Sequence, residues 1–549
     1  MTSLVIPTLF FSVFITLSLI PLFRKAALHF HAVDIPDARK VHKSPVPRMG
    51  GAAMALGAFI PVFVFMQKNA FLTGFILGAA VIILFGLADD LLNLKYKYKF
   101  AGQALAALIV MIIGKVQIAT LGNVLPSSFC LADYTSFMLT FLLIIGVTNA
   151  INLSDGLDGL AAGICLLAFC SIGYLAYKTG MTTILLMAVS MAGAIFGFLR
   201  FNTHPATIFM GDTGSQLLGF SGIVLSIKLT QESLSLSPIL PLLLFGIPIL
   251  DTLAVMMQRI IEGKSLFLPD KNHIHHKLMR LGLYHTEAVF SIYLAQSLLI
   301  LLALIFRSSS DKLLLISYIV FSVVVLLAFS LMEIYGLRVK RFGFIESRVK
   351  AIFRDLRERG VLIRFCFFIL KIGMPAVLIL HVFIPDGISW GMASLACLLA
   401  ILITVHLTAK GSASAFIVRP IIYLLTPFLI YKSEIQPALW MTQLFSEICD
   451  ISFLVLAFFS IMTLKFTRRR KGFRFTTMDF LVLVVIFVVS ILPDRQIQGS
   501  HLGMLAAKII IIFFSFEILV GELRGKWTGL NLTALIICCG VALRGWGFL

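Results

Sequence analysis

Apolar runs of about twenty residues recur along the whole chain, separated by short polar segments. The stretch "SLVIPTLFFSVFITLSLIPLF" begins the series, and "LAQSLLILLALIF" is one of many later members. Runs of this length predict membrane-spanning helices. The first has no basic segment before it and no small-residue cleavage site after it, so it predicts a retained helix and not a signal peptide. The pattern as a whole predicts an all-α polytopic integral membrane protein, with about eleven spans before residue 335 and about seven after it.

Composition sharpens this. Of 549 residues, 59% are hydrophobic and 13% charged, and the mean hydropathy is +1.01. That is too little charge to cover a soluble protein of this size. The net charge of +19 would by itself suggest nucleic acid, but its placement argues otherwise. Lys and Arg gather in alternate loops, among them "NLKYKYK", "RIIEGKSLFLPDKNHIHHKLMR" and "KFTRRRKGFR", while "QKN", "YKTG" and "QESLSLSP" lie between. This positive-inside pattern places the basic loops in the cytoplasm and the N-terminus outside. The eight Cys are scattered, with no CxxC pair at ligand spacing, so neither a disulfide framework nor a zinc site is expected.

Topology then gathers the unusual polar segments. "DIPDARKVHKSPVPRMGG" (34–51), "GLADDLLN" (86–93), "NAINLSDGLDGLAAG" (149–163), "RFNTHPATIFMGDTGS" (200–215) and "PDKNHIHHKL" (269–278) all fall at the cytoplasmic face. A lone Asp or Asn at a helix end is usually a cap, and Lys–Arg runs usually meet lipid headgroups; Asp133 and the basic loop 338–359 carry no more than that. Adjacent Asp89 and Asp90 are different, because they repel one another beside a low-dielectric slab unless a cation or a proton transfer uses them. With Asp155, Asp158 and Asp212 on the same side, the residues point to a divalent cation site whose oxygen ligands suit Mg²⁺ or Mn²⁺. The imidazoles of His273, His275 and His276 could in principle bind a transition metal, but no thiolate accompanies them. Together with Lys43, Arg48, Lys271 and Lys277 they make a cradle for a polyanion. Glycine-rich turns such as "SDGLDG" and "MGDTGS" let backbone N–H groups come close to phosphate. Carboxylates with a metal, basic residues and glycine turns describe phosphoryl transfer at the membrane surface.

At these residues the sequence resembles the polyprenyl-phosphate N-acetylhexosamine-1-phosphate transferases of bacteria. The resemblance covers about residues 1–335, leaving 336–549 as a membrane extension, and rests on Asp89–Asp90, "NAINLSDGLDGLAAG", "FNTHPATIFMGDTGS" and "NHIHH" occurring in order. It implies that undecaprenyl phosphate attacks the sugar-linked phosphorus of a UDP-sugar at the cytoplasmic face of the inner membrane. The products would be lipid-diphosphate-sugar and UMP, a first step of cell-envelope polysaccharide assembly. N-acetylglucosamine is the sugar implied, with another UDP-N-acetylhexosamine as the alternative. The resemblance further implies Asp212 as a Mg²⁺ ligand with Asn152 beside the metal, and Asp89 and Asp90 as the pair handling the lipid phosphate. Asp155, Gly156, Leu157 and Asp158 would line the uridine pocket, Phe209 would stack on the base, and Lys43 with His273, His275 and His276 would hold phosphate oxygens. Implied partners are the UDP-sugar, undecaprenyl phosphate and membrane lipids, with a homodimer as a candidate assembly and no nucleic acid.

Two positions depart from the family pattern. Asn93 stands where many relatives carry a further Asp, and "NHIHH" lacks three adjacent His, which aligns the chain with users of UDP-N-acetylglucosamine or its epimers. Residues 336–549 carry no paired carboxylates in their spans; within them "RVKAIFRDLRERG" (348–360) reads as an amphipathic interfacial helix. A polyprenyl-lipid transporter or flippase is the competing class, but it would place ionisable residues near the bilayer midplane and show paired halves. Here the acids cluster at one face, and no repeat is evident.

Overall fold

In lipid, an apolar run must satisfy each backbone N–H and C=O within itself, and the helix does so. The structure, a computed structural model, describes residues 4–34, 45–124, 131–233, 235–265, 272–307, 310–336, 361–408, 414–466, 502–523 and 528–548. They divide into two compact units, one holding the described residues up to 336 and the other those from 361 onward.

The first unit contains α1 (Val5–His29), α2 (Gly50–Phe65), α3 (Ala70–Leu92), α4 (Tyr96–Ile112) and α5 (Asp133–Ser154). It continues with α6 (Leu160–Lys178), α7 (Thr182–Asn202), α8 (Gly211–Glu232), α9 (Leu240–Leu244) and α10 (Gly246–Ile261). It ends with α11 (Ile274–Arg280), α12 (His285–Ile305) and α13 (Asp311–Ile334). Leaving out the short α9 and α11, these are the eleven helices that the apolar pattern predicts. The exception to an all-α chain among the described residues is a two-stranded antiparallel ribbon, β1 (Val33–Asp34) with β2 (Val46–Pro47).

By length and composition, nine helices among the described residues could cross a membrane, seven of them in this unit. Helix α8 is not one of the nine, and its position explains why. It runs through the middle of the unit against α2, α3, α5 and α6, and nearly all of it is buried. A helix surrounded by protein does not face lipid, so it can carry Ser215, Gln216, Ser221, Ser226 and Thr230. Ser226 and Thr230 donate back to Ile223 and Ser226 carbonyls at 2.9 Å each. Close approach holds its first turn in place. A Cβ on Gly86 of α3 would lie 2.5 Å from Thr213 Cα, and one on Gly51 of α2 would lie 2.2 Å from Gly214 N.

The second unit contains α14 (Val361–Phe383), α15 (Trp390–Thr408), α16 (Ser414–Ile435), α17 (Gln443–Phe466), α18 (Leu502–Leu523) and α19 (Thr528–Gly545). Its core is apolar, including Leu370, Met374, Leu378, Phe453, Phe516 and Leu519. Lys508 of α18 is buried within it, paired with Glu434 of α16 and, at 2.5 Å, with Asp450 of α17. Arg544 donates to the carbonyls of Val382, in the last turn of α14, and Pro385, just beyond it. The basic loop 338–359, the 348–360 segment, residues 467–501, Lys43 and Lys271 lie outside the described residues.

Candidate active site

The sharpest constraint is on Asp90. An α-helix leaves its first N–H groups without intrahelical partners, and a carboxylate placed there satisfies them while meeting the positive end of the helix dipole. Asp90, in the last turn of α3, does this for α8. Its Oδ1 accepts from the Asp212 N–H at 2.8 Å. Its Oδ2 accepts from the Thr213 N–H at 3.2 Å and the Thr213 hydroxyl at 2.6 Å. The approach is so close that Gly211, at φ +67°, leaves no room for a Cβ, which would sit 2.4 Å from the Arg48 carbonyl oxygen and from Asp90 Oδ1.

Asp89 faces another way. Its Oδ1 accepts from the Leu94 N–H at 2.7 Å, and its Oδ2 meets Lys99 Nζ at 2.6 Å. The same ammonium lies 2.7 Å from Asp212 Oδ2, and Gln216 donates to that oxygen at 3.3 Å. Asn93 ends α3 in the left-handed region at φ 50°, a conformation Asn tolerates better than most residues. At this position it acts as a helix terminator. Ligand atoms of Asp89, Asp90 and Asp212 all lie within 4.8 Å of one another. One turn along α8, Ser215 donates to Asn152 Oδ1 at 2.7 Å, which brings the end of α5 to the same place.

The turn after α5 forms the neighbouring wall. The Asp155 carboxylate has no hydrogen-bond partner among the described residues. Burial, then the negative charges of Asp212, Asp158 and Asp90, pushes it up to about 7. Asp158 is held the other way. Burial works to raise it, but the hydrogen bond from His204 Nδ1 at 2.7 Å, the nearby His285 and the Ala206 N–H at 3.1 Å keep it below the usual carboxylate range. The Asp158 N–H donates to His285 Nε2 at 3.1 Å, and the His204 and His285 rings stack 4.1 Å apart. Asn202 ties the turn to α7, accepting from the Gly159 N–H at 2.9 Å and donating to the Ile208 carbonyl at 3.0 Å.

The sequence-predicted residues are thus placed unevenly. Asp89, Asp90, Asp212 and Asn152 come together. The Leu157 side chain is buried, so its main chain is what can border a ligand. Phe209 is half-buried and is held by its backbone, donating to the Pro47 carbonyl at 2.7 Å and accepting from the Gly50 N–H at 2.9 Å. His273 and His275 are buried at the start of α11, and His276 beside them is half-buried. The His275 ring lies against Gly156, whose added Cβ would be 2.3 Å from His275 Nε2. Sequence reasoning passed over Lys99, Asn202, His204, Asp251 and His285. Lys99 sits in the "NLKYKYK" loop, and Asn202 and His204 within the 200–215 motif. Nothing in the sequence marks Asp251 or His285.

The first unit is thus that of a multi-pass helical membrane protein whose helix ends bring together three carboxylates, a bridging lysine and a glycine-rich turn. Comparison with known proteins is more specific. The glycosyl transferase family 4 model matches residues 72–230. The chain is 36% identical over 333 residues to a Bacillus subtilis (strain 168) protein named "Probable undecaprenyl-phosphate N-acetylglucosaminyl 1-phosphate transferase", covering 60% of this chain and 92% of that one. It is 30% identical over 364 residues to the Escherichia coli (strain K12) undecaprenyl-phosphate alpha-N-acetylglucosaminyl 1-phosphate transferase, covering 65% and 97%. It is 38% identical over 300 residues to the Mycobacterium leprae (strain TN) decaprenyl-phosphate N-acetylglucosaminephosphotransferase, covering 49% and 75%. The chain belongs to this family of polyprenyl-phosphate N-acetylhexosamine-1-phosphate transferases.

Proposed function

We propose that the protein transfers N-acetylglucosamine-1-phosphate from UDP-N-acetylglucosamine to undecaprenyl phosphate at the cytoplasmic face of a bacterial inner membrane, releasing UMP. The observation that carries this reading is the meeting of Asp89, Asp90, Asp212 and Lys99 beside Asn152 and the 155–158 turn. A phosphate oxygen of the lipid forms a bond to the sugar-linked phosphorus. The bond from that phosphorus to the oxygen bridging the two phosphates breaks, and that oxygen leaves on UMP.

The donor set suits Mg²⁺ or Mn²⁺: all its ligand atoms are oxygens, and three carboxylates face one ammonium. Asp212 and Asn152 would hold the ion, with Asp89 close by; bound there, it would offset charge on the transferring phosphoryl group. The protein's own residues do the rest. Both oxygens of Asp90 are committed to the first turn of α8, so Asp90 orients Asp212. Asp89, paired with Lys99, is the carboxylate assigned to take a remaining proton from the lipid phosphate. Asp158, held by His204 and the Ala206 N–H, presents a fixed acceptor to the nucleotide side of the site. The test is UMP release by the purified full-length protein given undecaprenyl phosphate and a panel of UDP-sugars. Release with UDP-N-acetylglucosamine in preference to the others is the expected result, and no release with any of them rejects the reading.

A further inference from the structure

In sequence, the histidines of "NHIHH" look interchangeable; in the structure, their surroundings differ. The His275 ring is buried, with its Nε2 side filling the space over Gly156. Burial, then the neighbouring His276, His273 and His285, holds it down to about 3. His275 is therefore a neutral ring that closes α11 onto the 155–158 turn. The His273 ring runs nearly parallel to it, 5.9 Å away, but has a partner of its own. Its Nδ1 lies 2.9 Å from Asp251 Oδ2 of α10. The other oxygen of the same carboxylate accepts from the Ile274 N–H at 2.7 Å, the start of α11. Both side chains are buried.

An ionised carboxylate can only accept, so His273 Nδ1 must be the donor. Among the described residues His273 Nε2 has no protein partner. The carboxylate thereby settles two things at once: where α11 begins and which ring nitrogen of His273 remains for a ligand. This is the arrangement by which an outer carboxylate sets the tautomer and orientation of a working histidine.

We propose that Asp251 is a positioning residue that acts through His273, fixing its ring so that Nε2 alone addresses a phosphate oxygen of the substrate. This rests on the phosphate-transfer reading above and adds a division of labour to it. His273 meets the phosphate, His275 packs the turn, and Asp251 aims the first without touching substrate.

A double-mutant cycle on the full-length protein tests it, using Asp251→Asn, His273→Gln and the pair, with kcat and KM measured for UDP-N-acetylglucosamine. Asp251→Asn keeps an oxygen for the Ile274 N–H but loses the carboxylate, and it should lower kcat by about ten- to a hundredfold. In the His273→Gln background the same change should cost less than about twofold, because its target is already gone. Asp251→Glu retains a carboxylate that can accept from His273 Nδ1 and should recover part of the loss. Equal losses from Asp251→Asn with and without His273 would overturn the proposal, as would unchanged kcat in the Asp251→Asn protein. The outcomes separate cleanly. A wild-type protein that releases no UMP rejects the transferase reading and this inference together, whereas an active wild type with an additive cycle rejects only the pairing.

Discussion

Each unit sets a lysine between carboxylates, buried in the second unit and half-buried in the first, and the contrast between them shows what makes a charge cluster a site. In the second unit Lys508 serves Glu434 and Asp450 and lies 5.6 Å over the Phe453 ring. Two acids meet one ammonium, so the charges there are close to balanced. In the first unit, Lys99 serves Asp89 and Asp212 while Asp90 stands beside them. Three acids meet one ammonium at the N-terminus of a central helix. The Asp212 side chain keeps 24% of its surface exposed, so a ligand can reach it. The excess negative charge, the open carboxylate and the convergence of α3, α4, α5 and α8 belong to the first cluster. A buried ion pair alone is weak evidence of function; unbalanced charge held open by a backbone frame is stronger evidence.

The contrast can be broken most sharply by removing metal. EDTA should abolish UMP release, and added Mg²⁺ should restore it; full turnover in metal-free buffer would mean that the clustered oxygens serve no cation. Asp212→Asn should cut kcat by at least about 10²-fold, the scale of losing one strong electrostatic contact to a transferring group. The two walls should then separate in binding measurements. Asp89→Asn is expected to lower kcat while leaving UDP-N-acetylglucosamine affinity, measured without lipid, nearly normal. Asp158→Asn should raise KM for that substrate by roughly tenfold or more, as loss of a charged hydrogen bond does; the reverse pattern would exchange the roles of the walls. Gly156→Ala forces a Cβ to within 2.3 Å of His275 Nε2, and overpacking of this kind costs about 1–3 kcal/mol. It should lower both melting temperature and turnover, and unchanged values for both would show that the ring is not seated there. The smallest effect on activity belongs to Lys508→Met. Stranding Glu434 and Asp450 should destabilise the second unit, toward the low end of about 3–5 kcal/mol since both acids are partly exposed, while kcat stays within about twofold. A large drop in kcat with an intact melting curve would give the second cluster a part in catalysis.

Much of the first unit was legible in advance because membrane spans announce themselves locally. Hydropathy over about twenty residues marks a span whatever it packs against, and loop charge assigns the polar motifs to one side. Asp89, Asp90, Asn152, Asp155, Asp158 and Asp212 could be picked out together for that reason. Helix α8 is a useful exception. Its serines and threonines dilute the signal because its neighbours are helices and not lipid, and the "MGDTGS" motif at its start marks it better than its hydropathy does.

The sequence by itself therefore determined the membrane class, the order of spans and the set of acids and imidazoles that share a face, since each depends on chain-local length, polarity and spacing. Only the tertiary structure decided what each of those groups does. Asp89 and Asp90 are adjacent in sequence, yet about 100° apart around α3, so one meets Lys99 and the other caps α8. His273 and His275 are two residues apart, yet one answers to Asp251 and the other to Gly156. Lys99, His204, Asp251 and His285 acquire partners from other segments of the chain, 22 to 127 residues away. Hydrogen bonds and ion pairs form over about 3 Å, a distance set by how helices pack and not by how far apart their residues stand in the chain.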